Sequence, residues 1–236
     1  MSATPAMKQI PLPIGTAPGA SLDNFVPGAN VAALHHLRQL ARAGTTPTTP
    51  AAPVYLWGPA GCGKTHLLRA LADAHGVGAT WFDAASPLPG SLEAAATLVL
   101  IDDCQALDAE RQHAAFTLFV EATGAGVPVA AAGRAPPVDL PLRDDLRTRL
   151  GWGLVHALQP LTDAEARTAL RRHAQQRGIG LGDEVIDYLL TRFSRDMKHL
   201  MHWLDRLDDY AWVERRGGIT LPLLRRVLAD ADEAPR

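Results

Sequence analysis

Eight consecutive residues have the types and spacing to hold a phosphate: Gly58-Pro59-Ala60-Gly61-Cys62-Gly63-Lys64-Thr65, which reads G-x-x-x-x-G-K-T. Glycines let successive backbone N–H groups turn inward around an anion, and a following helix adds the partial positive charge of its N-terminus. The Lys64 ammonium can reach β- and γ-phosphates, and the Thr65 hydroxyl can ligate Mg²⁺. Gly58 to Thr65, with His66 just beyond, are the expected contacts to a nucleotide, ADP or ATP. A second stretch supplies the acid. Thr97-Leu98-Val99-Leu100-Ile101 ends in Asp102-Asp103, and a carboxylate at the end of such a strand can hold Mg²⁺ directly or through water. Thr65 and Asp102 are therefore the expected metal residues.

These residues need a scaffold that brings strand ends together. Val54–Trp57 is an apolar run before the loop, and His66–His75 has a helical pattern after it, which is the strand–loop–helix context the motif requires. Residues 79–83, 97–101, 127–132 and 152–156 read as further strands. Residues 30–42, 109–123 and 142–150 read as helices, the first with an apolar stripe of Val31, Leu34, Leu37 and Leu40. Residues 86–96 read as a turn with a short helix. Continuous apolar strands alternating with helices predict a buried parallel sheet of α/β type. After Pro160 only helices are predicted. Thr162-x-x-Glu165 is a capping box opening a helix to about Gln176. Residues 182–192, 196–214 and 221–228 follow, with a core stripe of Met197, Leu200, Trp203, Leu204, Leu207 and Trp212 along 196–214. Gly44–Pro53 reads as a linker. The expected division is a tail over 1–20, an α/β nucleotide-binding domain over 21–157 and a helical domain over 158–236.

Composition narrows the function classes. The net charge is −2, and residues 158–236 balance 13 Lys/Arg against 13 Asp/Glu. This argues against a strong autonomous grip on nucleic acid. Cys62 and Cys104 are the only cysteines and form no metal-binding or C-x-x-C pattern. No apolar run reaches membrane-spanning length and no signal-peptide core is evident, so the expectation is a cytoplasmic protein without a membrane partner. The tail contains Lys8-Gln9-Ile10-Pro11-Leu12-Pro13-Ile14. Its two prolines favour an extended backbone with spaced apolar anchors. Such a peptide suits a groove on a partner, or packing back on its own domain.

A phosphate-loop α/β domain followed by a small helical lid resembles an AAA+ module. Arg147-Thr148-Arg149-Leu150-Gly151-Trp152-Gly153, then Leu158-Gln159-Pro160-Leu161, and Asp102-Asp103-Cys104-Gln105, resemble the AAA+ core of DnaA-related proteins. The tail resembles the clamp-binding peptide of the Hda family. That resemblance implies an ADP-bound protein that docks on the DNA-loaded sliding clamp, the β subunit of DNA polymerase III. There it would stimulate hydrolysis of ATP on the initiator DnaA, turning the initiator off. It implies that Gln9, Leu12 and Ile14 enter the clamp pocket with Ile10 alongside, and that Arg149 is an arginine finger acting in trans. Contact with DNA would be indirect, through the clamp, and a homo-oligomer is compatible with the reading.

Three positions depart from the wider pattern. Arg134, in Ala132-Gly133-Arg134, stands where DnaA-like proteins carry an acidic sensor. Lys198, in Arg195-Asp196-Met197-Lys198-His199, stands at the usual second-sensor arginine and keeps the charge without the planar fork. Asp103 follows Asp102 where many AAA+ ATPases have Glu, although the acidic pair is itself DnaA-like. The sensor changes bear on hydrolysis at this chain's own site and leave nucleotide binding untouched. Two other readings stay open: an autonomous AAA+ ATPase such as a helicase loader or DNA-remodelling factor, and an initiator-like DNA-binding protein.

Overall fold

The computed structural model describes residues 19–43, 51–193 and 219–232, and between the last two ranges residues 197, 200, 201 and 203–207. Five short runs form one parallel sheet: β1 (Val54–Trp57), β2 (Ala79–Phe82), β3 (Leu98–Ile101), β4 (Val129–Gly133) and β5 (Leu154–Ala157), in the order β2-β3-β4-β1-β5. Val54 lies opposite Ala130 on one side and Leu154 on the other. The phosphate loop therefore leaves a central strand, with the end of β3 one strand beyond β4.

The twofold alternation of side chains along each strand splits the core in two. Tyr55, Val99, Ile101, Val129 and Ala131 point to one face. There they meet Ala115, Leu118, Phe119 and Ala122 of α3 (Ala109–Gly124) and Leu146 and Leu150 of α4 (Asp144–Leu150). Val54, Leu56, Leu98, Leu100, Ala130 and Ala132 point to the other. They meet Leu34, Leu37 and Leu40 of α1 (Val31–Ala43) and Leu67, Leu68 and Leu71 of α2 (Lys64–His75). Both faces are thus covered by helices, as a parallel sheet demands.

A third core is purely helical. Leu170 of α5 (Asp163–Gln176) and Val185, Ile186 and Leu189 of α6 (Asp183–Arg192) pack with Leu200, Leu204 and Leu207, from helical positions at 197, 200, 201 and 203–207 (α7). Leu223, Leu224 and Val227 of α8 (Leu221–Asp232) complete it. The capping box that opens α5 forms in full. Thr162 Oγ1 accepts from Glu165 N, and the Glu165 carboxylate accepts from Thr162 N at 2.8 Å. No described helix is long and apolar enough to cross a membrane.

The structure differs from the sequence expectation in several places. Val31 does not join the buried stripe of α1; it is 60% exposed, because steps of three residues drift around a helix of 3.6 residues per turn, and the buried arc that holds Ala33, Leu34, Leu37 and Leu40 leaves Val31 to one side. Residues 86–96 hold turns and no helix. α2 begins at Lys64 rather than His66, so the loop runs directly into the helix. α8 runs four residues beyond Leu228, to Asp232. The tail over 1–18, the linker core over 44–50 and Trp212 lie outside the described residues.

One contact sets the end of β4. Tyr55 is buried, and its Oη donates to Ala135 O at 2.9 Å. Burial raises the phenol pKa far above its ordinary value, so the hydroxyl stays protonated and donates. A Cβ at Gly133 would lie 2.1 Å from that oxygen. Gly133→Ala is expected to cost about 1–3 kcal/mol by overpacking. Adding Tyr55→Phe removes the clashing oxygen and recovers part of that loss. Denaturant midpoints of the single and double variants check this, and strict additivity sinks it.

Candidate functional site

The phosphate loop is shaped by Gly63. It adopts φ 99° and ψ 10°, a left-handed conformation at the N-cap of α2, with no side-chain cap. A Cβ there would lie 2.7 Å from Phe25 Cε2, so the position has neither the backbone conformation nor the room for a side chain. The uncapped first turn of α2 leaves backbone N–H donors for an anion. Pro59 and Ala60 form the exposed crest of the loop, Gly61 is half-buried, and Gly58 and Cys62 are buried against the core. Lys64 is buried, with Nζ donating to Gly58 O at 2.8 Å and Pro59 O at 2.9 Å, and lying 3.7 Å from Cys62 Sγ. Those carbonyls offset the cost of burying an ammonium.

The strand order brings the acid to the loop. Thr65 Oγ1 donates to Asp102 Oδ2 at 2.7 Å, and Asp102 Oδ1 accepts from Asp103 N at 2.9 Å. Asp102 is only 4% exposed. Burial raises its carboxyl above the ordinary value, and the Thr65 hydroxyl and Asp103 amide offset only part of that. A desolvated carboxylate beside a hydroxyl is short of positive charge. It is a donor set of hard oxygens that suits Mg²⁺. Among the described residues no three His, Cys, Asp or Glu cluster as a metal cage.

Asp103 stands in the left-handed region, φ 48° and ψ 47°, the one described non-glycine residue with positive φ. Its Oδ1 accepts from Gln105 Nε2 at 3.0 Å, and Gln105 Oε1 accepts from Arg134 N at 2.9 Å. Gln105 therefore ties the turn after β3 to the turn after β4. The Arg134 side chain itself is exposed. His66 faces the lead-in, not the loop crest. Its Nε2 lies 3.2 Å from Ser21 O and its ring 5.8 Å from that of Phe25. Burial lowers its pKa, keeping the ring neutral at physiological pH.

Two residues that sequence reasoning missed fix the geometry around this centre. Gln105 is one; in the sequence it is only part of a four-residue pattern. Asn30 is the other, a buried polar residue. Its Nδ2 donates to Gln159 O at 2.9 Å and its Oδ1 accepts from Gln159 N at 2.8 Å. Leu158 N donates to Trp57 O at 2.7 Å just beside this pair. The available signal is a capping-type Asn directly before the apolar stripe of α1. Arg172 of α5 adds a contact to the lead-in, donating to Asp23 O at 3.1 Å.

Arg149 sits apart, in the last turn of α4. Among the described residues it makes no ion pair; its guanidinium carbon lies 5.4 Å from the centroid of the Trp152 ring, and Trp152 is 64% exposed. Both line an open groove of about 660 Å³ with Phe116, Asp144, Asp145 and Thr148. Lys198, and Gln9, Ile10, Leu12 and Ile14 of the tail, lie outside the described residues. The structure thus joins Lys64, Thr65 and Asp102 in one centre and leaves Arg149 facing outward.

Comparison with known proteins agrees with this layout. Residues 163–228 match the model of the Hda lid domain, and residues 18–78 match that of the bacterial DnaA ATPase domain. An uncharacterised protein of Haemophilus influenzae is 33% identical over 236 residues, covering 94% of this chain and 98% of its own. Among solved structures, domain III of DnaA from Thermotoga maritima superposes with a TM-score of 0.71 at 21% identity, over 92% of this chain and 98% of that one. AMPPCP-bound DnaA from Aquifex aeolicus gives 0.68 at 21% identity, over 90% of this chain and 70% of that one.

Proposed function

The chain belongs to the Hda and DnaA-related family of AAA+ proteins, and we propose that it is a regulatory inactivator of the initiator DnaA. In this reading it is an ADP-bound protein that docks on the DNA-loaded sliding clamp and stimulates hydrolysis of DnaA-bound ATP in trans. Over-initiation of chromosome replication is thereby prevented. The observation that carries the reading is the union, on one chain, of an Hda-type lid over 163–228 with a DnaA-type ATPase segment over 18–78. We take residues 21–157 as the nucleotide-binding domain and 158–236 as the lid.

Each part of the chain has a task in this proposal. The backbone of Gly58 to Gly63 wraps the phosphates, and Lys64 exchanges its loop carbonyls for phosphate oxygens. Thr65 and Asp102 hold Mg²⁺, which neutralises phosphate charge when bound. His66 and Lys198 border the same nucleotide, His66 by bracing the lead-in. Arg149 carries a cation that no carboxylate among the described residues pairs with, which is what charge stabilisation on another molecule's nucleotide needs. The peptide Gln9, Ile10, Leu12 and Ile14 supplies the clamp contact.

The deciding experiment is a DnaA ATP-hydrolysis assay on clamp-loaded DNA, with the full chain and with residues 1–14 deleted. The full chain is expected to accelerate hydrolysis only when clamp is present. Deletion of 1–14, or Gln9→Ala, is expected to abolish clamp binding with no change in melting temperature. Unchanged clamp affinity in the deleted protein would remove the clamp from the reading. One observation favours a second reading, an autonomous ATPase: Thr65 Oγ1 and Asp102 Oδ2 lie 2.7 Å apart, two hard-oxygen donors side by side in the chain's own site. Steady turnover without any partner, lost on Lys64→Ala, would select it.

A further inference from the structure

Four residues before Arg149 on the same helix stands Asp145, the spacing at which an exposed helix favours an Asp–Arg pair. That pair does not form. Asp145 Oδ2 accepts instead from Arg143 Nη2 at 2.7 Å, and its Oδ1 accepts from Leu146 N at 2.7 Å. Arg143 is itself anchored from α3: its backbone N–H donates to Gln112 Oε1 at 2.9 Å, and its Nη1 lies 3.4 Å from His113 Nδ1. Asp144, the other carboxylate of the groove, is taken by Arg147 at 2.5 Å. Arg149 is left with the face of Trp152. An aromatic face attracts and orients a guanidinium without occupying its N–H donors.

We infer that Arg143 is a positioning residue that occupies Asp145 and so keeps Arg149 unpaired and able to reach an anion on another molecule. This deepens the functional reading above and rests on it. Trp152 serves as the rest against which the free guanidinium lies. Without Arg143, Asp145 captures Arg149 along the helix, and part of the population loses the charge and donors that the partner's nucleotide requires. Substitution by Gln at 143 keeps the backbone bond to Gln112. Asn at 145 keeps the oxygen that accepts from Leu146 but removes the charge.

The test compares the full chain, Arg143→Gln, the double variant Arg143→Gln/Asp145→Asn, and Arg149→Ala in the clamp-dependent hydrolysis assay. Arg143→Gln is expected to stimulate about two- to fivefold less, the scale of a surface i,i+4 pair. Its deficit relative to the unmodified chain shrinks as salt rises, and the double variant returns to the unmodified rate. A readout free of any partner accompanies it: exchange of the Arg149 Nε–H followed by NMR in the isolated protein. That exchange slows in Arg143→Gln and recovers in the double variant. Wild-type behaviour of Arg143→Gln in both readouts overturns the inference. So does a double variant that stays impaired, since that gives Arg143 a role independent of Asp145. Full stimulation by Arg149→Ala instead overturns the functional reading, and the NMR comparison still decides whether Asp145 captures Arg149.

Discussion

Arg149→Ala is expected to abolish stimulation of DnaA-bound ATP hydrolysis while leaving fold, nucleotide binding and clamp binding unchanged. The size of the effect follows from the chemistry. A guanidinium supplied in trans to a transferring phosphoryl group is worth about 10³–10⁵ in rate, because charge develops on equatorial oxygens that water alone stabilises poorly. The cost to the protein is small. Arg149 makes no ion pair among the described residues and contacts the Trp152 ring at 5.4 Å. Such an exposed contact contributes about 0.5–1 kcal/mol. For a chain of this size that lowers the melting temperature by no more than about 2–4 °C. The measurement is single-turnover hydrolysis of labelled ATP on DnaA, paired with a thermal melt of the variant. A variant that melts normally and still stimulates fully would sink the assignment of Arg149.

The second large effect is at Lys64. Lys64→Ala is expected to weaken nucleotide affinity by about ten- to a hundredfold, the value of one or two charge-assisted hydrogen bonds. Without nucleotide, truncation removes the donor that the buried Gly58 carbonyl and the exposed Pro59 carbonyl now share, a loss of fold stability separate from the loss of affinity. The contrast is measurable by linkage. At a ligand concentration about 100 times Kd, binding stabilises a fold by about 2.7 kcal/mol. Addition of ADP is therefore expected to raise the melting temperature of the unmodified chain and to raise that of the variant only about one seventh to one half as far at the same concentration. An equal rise in both would show that Lys64 does not hold the phosphates.

What the sequence revealed and what it hid divide by distance along the chain. The phosphate loop was legible because its chemistry is local: Gly63, Lys64 and Thr65 are neighbours, and an apolar run before them sets the context. The Thr162–Glu165 box was legible for the same reason. The apolar run ending in Asp102 pointed to a buried strand, and β3 is buried at all four positions. The hidden part consists of polar groups whose partners are far away in sequence. Tyr55 meets Ala135 and Gln105 meets Arg134, across 80 and 29 residues. Asn30 meets Gln159 across 129. No periodicity or motif carries such pairings, since a Tyr in a strand or an Asn before a helix satisfies many arrangements equally well. Val31 misled in the opposite sense: a step of three residues counts it with Leu34 and Leu37, but at 3.6 residues per turn it falls outside the buried arc of the helix. Arg149 could be picked out by resemblance, whereas its freedom from Asp145 is visible only once Arg143 has been placed.

The paired amide of Asn30 and Gln159 has a mechanical consequence. Two hydrogen bonds on Gln159, with the Leu158–Trp57 bond beside them, weld the start of the connector to the sheet. A rotation of the helices beyond it would pivot at Pro160–Leu161, a few residues before α5, with α5 as the lever arm. Arg172 grips Asp23 from that arm, about two and a half turns along it at 3.6 residues per turn. A few degrees of rotation displaces this grip far more than it displaces Thr162. The lead-in that braces His66 is thereby tied to the helical unit at a point well along α5.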